Sequence, residues 1–150
     1  MKELNTYITE KLKINKDSKN QYNYHPKYRK ELYDLVNKLI EERGNDADLN
    51  DIDTSEITDM HGMFYGSDFN GDISKWDVSN VKDMGAMFAY SKFKGDISSW
   101  NVNNIIDMNN MFYNSAFNGD INDWNVSNTN MFNMFGGSPL QKNPPKWYKK

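Results

Sequence analysis

The chain has 150 residues, no cysteine, 37% hydrophobic residues, a mean hydropathy of −0.89 and a net charge of −3. That length suits one domain, the missing thiols exclude a disulfide scaffold and a thiolate zinc site, and no apolar run approaches the ~20 residues needed to cross a bilayer. Aromatic residues reach 14%, alongside 9 Met, which departs from the aromatic-poor composition of disordered chains and points to a core of Met, Phe, Tyr and Trp.

Charge is segregated. Residues 1–43 carry +3, residues 44–138 carry −10 and residues 139–150 carry +4. The acidic middle repels phosphate backbones, so no nucleic-acid partner is expected. It would attract cations or a basic protein partner.

Residues 1–48 read as an N-terminal segment and a capping helix. The opening "MKELNTYITEKLKINKDSKN" has no apolar signal-peptide core. The expected location is therefore cytoplasmic or virion-associated rather than the cell surface. Leu4, Tyr7, Ile8 and Leu12 would share one face of a short basic helix, which is marginal alone and is expected to dock on the capping helix. "HPKYRKELYDLVNKLIEERG" predicts that capping helix over about 26–43. Leu32, Leu35, Val36, Leu39 and Ile40 fall on one face, Pro26 suits the start and Gly44 the end.

Residues 49–140 repeat a 24-residue sentence. "FNGDISKWDVSNV" from Phe69 returns as "FKGDISSWNVNNI" and "FNGDINDWNVSNT". Four copies are expected, over 49–72, 73–96, 97–120 and 121–140. The apolar slots barely change, so they predict a stacked interior that no single copy could bury alone. Those slots hold Ile73, Ile97 and Ile121; Trp76, Trp100 and Trp124; Val81 and Ile105; Met84 and Met108; Met87 and Met111; Phe88 and Phe112; Phe93 and Phe117. The fourth copy fits with one residue deleted after Asn130, placing Met131, Met134, Phe135 and Leu140 in matching slots.

Within a copy, "DISKWDV" reads as a strand entered through a Gly turn. Met84, Met87 and Phe88 sit at helical spacing after Asp83, a candidate cap. The expected fold class is an α+β repeat solenoid of leucine-rich-repeat-like right-handed coils, 24 residues each, with an N-terminal helical cap. Residues 141–150 form a basic tail, with Trp147 and Tyr148 over the last coil.

Chemistry-bearing residues are few. His25 and His61 are the only histidines, and no Gly-rich phosphate loop occurs. No enzyme activity, catalytic residue or cofactor is expected. Asp72, Asp96 and Asp120 form a ladder that could chelate calcium, but Asp beside Gly more readily bonds the N–H groups of its own turn. Metal is the weaker alternative. The exposed row Lys75, Asp77, Ser99, Asn101, Asp123 and Asn125 projects from successive copies and is the candidate binding surface.

The repeat "FNGDISKWDVSNVKDMGAMF", with Phe, Asp-Ile, Trp, Val and Met-x-x-Met-Phe in register, resembles the BspA-like leucine-rich repeat surface proteins of bacteria, protists and some phages. The resemblance implies a solenoid used for binding, with no catalytic residues. It leads to the expectation of a non-enzymatic protein-binding module with a protein partner. The alternatives are a phage-encoded intracellular factor (a virion component or an acidic inhibitor of a host enzyme) and a surface adhesin exported by a non-obvious route.

Overall fold

The computed structural model describes residues 21–149, so the apolar face proposed for Leu4, Tyr7, Ile8 and Leu12 lies outside the described residues. Helix α1 runs Arg29–Arg43, beginning shortly after Pro26. It ends at Gly44, whose φ of 95° needs a glycine and whose N–H donates to the Ile40 carbonyl at 2.7 Å. Leu32, Leu35, Val36 and Leu39 are buried in one cluster with Leu49, Ile52 and Ile57. Each such burial stabilises by roughly 1.5–3 kcal/mol relative to exposure.

The expected α+β solenoid of leucine-rich-repeat type is wrong. Among the described residues α1 is the single α-helix, and no strand or sheet forms. There are only isolated parallel bridges, such as Asp48↔Asp72, Asp59↔Asp83 and Asp83↔Asp107. "DISKWDV" is not a strand and the Met84–Phe88 segment is not a helical turn. The physical reason is frequent reversal. The carboxylates of Asp72, Asp77 and Asp83 each accept the N–H two residues on, from Ser74, Ser79 and Gly85. Such side-chain turns bend the chain before an extended run can form. The segment beginning at Asp83 then places Ala86 and Tyr90 in the left-handed region, at φ 54° and 58°. A helix cannot pass through such residues.

Backbone pairing nevertheless joins successive copies. Met84, Ala86, Phe88 and Tyr90 donate to the carbonyls of Asp107, Asn109, Met111 and Tyr113, at 2.8–2.9 Å. Met60, Gly62, Phe64 and Gly66 do the same toward Asp83, Gly85, Met87 and Ala89. Met108, Asn110, Phe112 and Asn114 reach Asn130, Phe132, Met134 and Gly136. The alternate N–H groups of Met87, Ala89 and Ser91 close turns within their own copy. Each segment therefore divides its donors between itself and its neighbour, which satisfies the backbone without a sheet. The bridge Asp107↔Asn130 puts the missing residue of the fourth copy before Asn130, one step earlier than the fixed 24-residue period suggests.

Side chains continue this pairing in columns. Phe64, Phe88, Phe112 and Phe135 stack with centroids 5.6, 5.6 and 5.8 Å apart and near-parallel rings. Phe69, Phe93 and Phe117 form a second column, and the two touch through pairs such as Phe88–Phe93 at 4.6 Å. The Trp76, Trp100 and Trp124 indole N–H groups donate to the carbonyls of Leu49, Ile73 and Ile97. A buried indole thus meets its polar need by clasping the preceding copy. Gly71 permits the close approach at the first junction, where a Cβ would lie 2.0 Å from the Ala47 carbonyl oxygen.

Both ends of this packing are covered. At the start, Tyr24 bridges Ile52, His25 Nδ1 lies 2.8 Å from Asp53, and the Arg43 guanidinium makes two 3.0 Å bonds to Asp51. At the finish, Trp147 stacks on Trp124 at 6.3 Å, and its indole N–H donates to the Ile121 carbonyl. Tyr148 meets Phe135 edge-on.

Candidate functional site

Two faces remain exposed along the copies. The first holds the polar row foreseen from sequence. Lys75, Asp77, Ser99, Asn101, Asp123 and Asn125 are all exposed. Asp77 and Asn101 are nonetheless occupied, because they accept the N–H groups of Ser79 and Asn103. Lys75, Ser99 and Asp123 come from equivalent positions of successive copies; the Ser99 hydroxyl donates to the Ser74 carbonyl at 3.4 Å, while Lys75 and Asp123 project more freely. The slots flanking them, filled by Ile73, Ile97 and Ile121 and by Trp76, Trp100 and Trp124, are buried. So are Val81, Met84, Met87, Phe88, Phe93, Ile105, Met108, Met111, Phe112 and Phe117.

The aspartate ladder borders this row. Asp72, Asp96 and Asp120 each accept the backbone N–H two residues on, at 2.9, 2.9 and 3.0 Å, together with a Ser or Asn side chain. All three carboxyl groups are held below their ordinary range. For Asp72 the leading cause is the Asn50 amide, followed by Ser74. For Asp96 it is the Ser98 hydroxyl, and for Asp120 the Asn122 N–H. Stabilised as anions by donors, these groups serve turns. No cluster of three metal-ligating side chains occurs among the described residues. A shallow groove of about 440 Å³ lies between Asp96, Ser98, Asp120 and Asp123.

His25 and His61 stand apart and meet different carboxylates, Asp53 at 2.8 Å and Asp83 at 3.4 Å. Asp53 is pushed up by burial, but the Ser55 donors and His25 outweigh this and hold it low.

The second face was not anticipated. It lies on the reversing segments, where Tyr65 and Tyr90 are 58% and 49% exposed and Tyr113 is half-buried. Tyr90 meets Tyr65 and Tyr113 edge-to-face, both at 5.5 Å. Ile106, just before Asp107, and Phe132, in the fourth copy, are 61% and 73% exposed. A sequence signal did exist. Tyr90 occupies a slot that the other copies fill with Gly66, Asn114 and Gly137, and all four residues have positive φ. An aromatic residue among glycine and asparagine in a left-handed slot marks a departure from the repeat's own logic.

No helix among the described residues is long and apolar enough to cross a membrane. No curated protein and no solved structure matches the chain. A family model described as "Mycoplasma protein of unknown function, DUF285" matches residues 31–147, which takes in most of α1, all four copies and Trp147; the chain belongs to this family.

Proposed function

We propose that this chain is a non-enzymatic protein-binding module related to the BspA-like repeat surface proteins. The observation that carries the reading is the division of labour within each copy. Constant apolar slots, indole N–H groups and alternate backbone donors are consumed in joining copies. Lys75, Ser99 and Asp123 recur at one exposed position and differ in charge and size, and of the three the Ser99 hydroxyl makes one long 3.4 Å bond to the Ser74 carbonyl of the preceding copy. Regularly spaced side chains on a stiff support suit recognition of a protein surface, because little conformational entropy is lost on binding. The scattered histidines supply no converging set of acid, base and nucleophile, which supports binding over catalysis.

A photo-crosslinking residue placed in turn at Lys75, Ser99 and Asp123 in expressing cells tests the reading. One shared adduct from all three positions, absent from the same residue at Asn37 on α1, is the expected result. Adducts no different from those at Asn37 would contradict it.

A further inference from the structure

We propose that the ridge formed by Tyr65, Tyr90 and Tyr113 is a docking surface for an arginine-bearing basic segment of a protein partner. This rests on the binding reading above and names a second face for it.

Four observations converge. First, the ridge is aromatic and open, with each ring turned edge-to-face to the next. Edge-to-face rings do not make the flat platform on which sugars or bases stack. They leave ring faces available to a cation. Second, the ridge belongs to the acidic middle of the chain. Asp59, Asp83 and Asp107 begin the same three segments and are bridged in a line, Lys92, two residues after Tyr90, is already paired with Asp68 at 3.2 Å, and residues 44–138 carry −10 overall. A basic partner is the complement of that charge. Third, an arginine of α1 already bonds the backbone of the first of these segments. The Arg29 guanidinium lies 5.7 Å from the Tyr33 ring centroid while its Nε–H donates to the His61 carbonyl at 2.7 Å. A Cβ at Gly62 would sit 3.7 Å from that guanidinium and 4.0 Å from the Tyr65 Cβ. Tyr33 belongs to α1 itself, but the backbone acceptor belongs to the segment that carries Tyr65, so that segment already receives an arginine side chain. Fourth, Tyr90 holds a left-handed backbone conformation that glycine or asparagine adopts at lower cost, as at Gly66, Asn114 and Gly137. Its ring is half exposed, so burial does not account for a strained tyrosine there. Strain at an exposed aromatic side chain is the pattern of a functional surface.

The probes are an oligo-arginine peptide and a Gly-Ser peptide of equal length, titrated at low ionic strength against the full chain. Binding is followed by tyrosine fluorescence and by calorimetry, and melting is recorded for every variant. Oligo-arginine is expected to bind and the Gly-Ser peptide is not. Tyr90→Asn should weaken binding by about two- to fivefold, and Tyr65→Ser with Tyr90→Asn and Tyr113→Ser by about tenfold or more. Tyr90→Asn should melt at the same temperature or higher. The proposal is overturned if the triple variant binds oligo-arginine as the natural chain does. It is also overturned if the Gly-Ser peptide binds equally, if neutral lipid vesicles displace the peptide, or if Tyr90→Asn lowers the melting temperature, which would show the ring to be structural. Crosslinks at Lys75, Ser99 and Asp123 alongside an unaffected triple variant would leave the binding module standing on its polar row and end the ridge proposal alone.

Discussion

The buried columns and the exposed reversing segments obey opposite rules, although both come from the same 24 residues. In the columns Phe64, Phe88, Phe112 and Phe135 are interchangeable, each stacked on the next within 6° of parallel. On the reversing face the equivalent residues of successive copies are Tyr65, Ala89, Tyr113 and Gly136, and beside them Gly66, Tyr90, Asn114 and Gly137. Columns must repeat because every copy offers its neighbour the same shape, and dense interiors feel a change of one methylene. The face is joined chiefly through its backbone, with ring contacts among the tyrosines, so its side chains are freer to differ. Uniformity marks what holds the molecule together, and departure from it marks the surface proposed for a partner.

Placing a charge on each side separates the two rules most strongly. Met84 is fully buried, and Met84→Asp would bury an unpaired carboxylate among the Phe columns. That costs several kcal/mol, enough to unfold a domain of this size. Lys75→Asp on the polar row should shift stability by no more than about 0.5 kcal/mol. Thermal melting of both variants checks this, and equal losses would erase the distinction between the two sides.

A smaller effect concerns the turns that feed both sides. Asp72, Asp96 and Asp120 are held below their ordinary range by donors. Their contribution to stability is therefore full above the unfolded carboxylate value of about 3.9 and is lost as pH falls through their lower folded values. The melting temperature should drop on acidification below about pH 4, and Asp72→Asn with Asp96→Asn should flatten that part of the profile. The effect is modest because these groups face solvent. An unchanged profile in the double variant would show that the carboxylates do not sustain the turns.

The interior was legible because its slots recur within one chain. Ile, Trp, Met and Phe at a fixed period identify burial without any knowledge of backbone shape. That shape was not legible. "DISKWDV" has a strand's composition, but the Asp72 and Asp77 side chains outcompete extended pairing by capturing nearby N–H groups. The spacing of Met84, Met87 and Phe88 fits a helix equally well as a run of reversals, and only the left-handed Ala86 decides between them. Trp147 continues the indole series of Trp76, Trp100 and Trp124 one residue early. The deletion before Asn130 hides that continuation from a fixed period. Within the polar row, exposure was legible, but the engagement of Asp77 and Asn101 in their own turns was not. Tyr65, Tyr90 and Tyr113 were missed because Tyr90 falls one slot away from the slot Tyr65 and Tyr113 share, and only folding brings their rings to 5.5 Å.

Alternate backbone donors, rather than strands, join one copy to the next, and amide hydrogen exchange resolved by residue can test this. Met84, Ala86, Phe88 and Tyr90, whose N–H groups donate to the next copy, should exchange slowly and together, as should Met108, Asn110, Phe112 and Asn114. Met131 and Asn133 occupy the corresponding positions of the fourth copy, where no backbone acceptor follows among the described residues, and should exchange fast. Fast exchange at Met84 through Tyr90, or equal protection at Met131 and Asn133, would contradict this mode of joining.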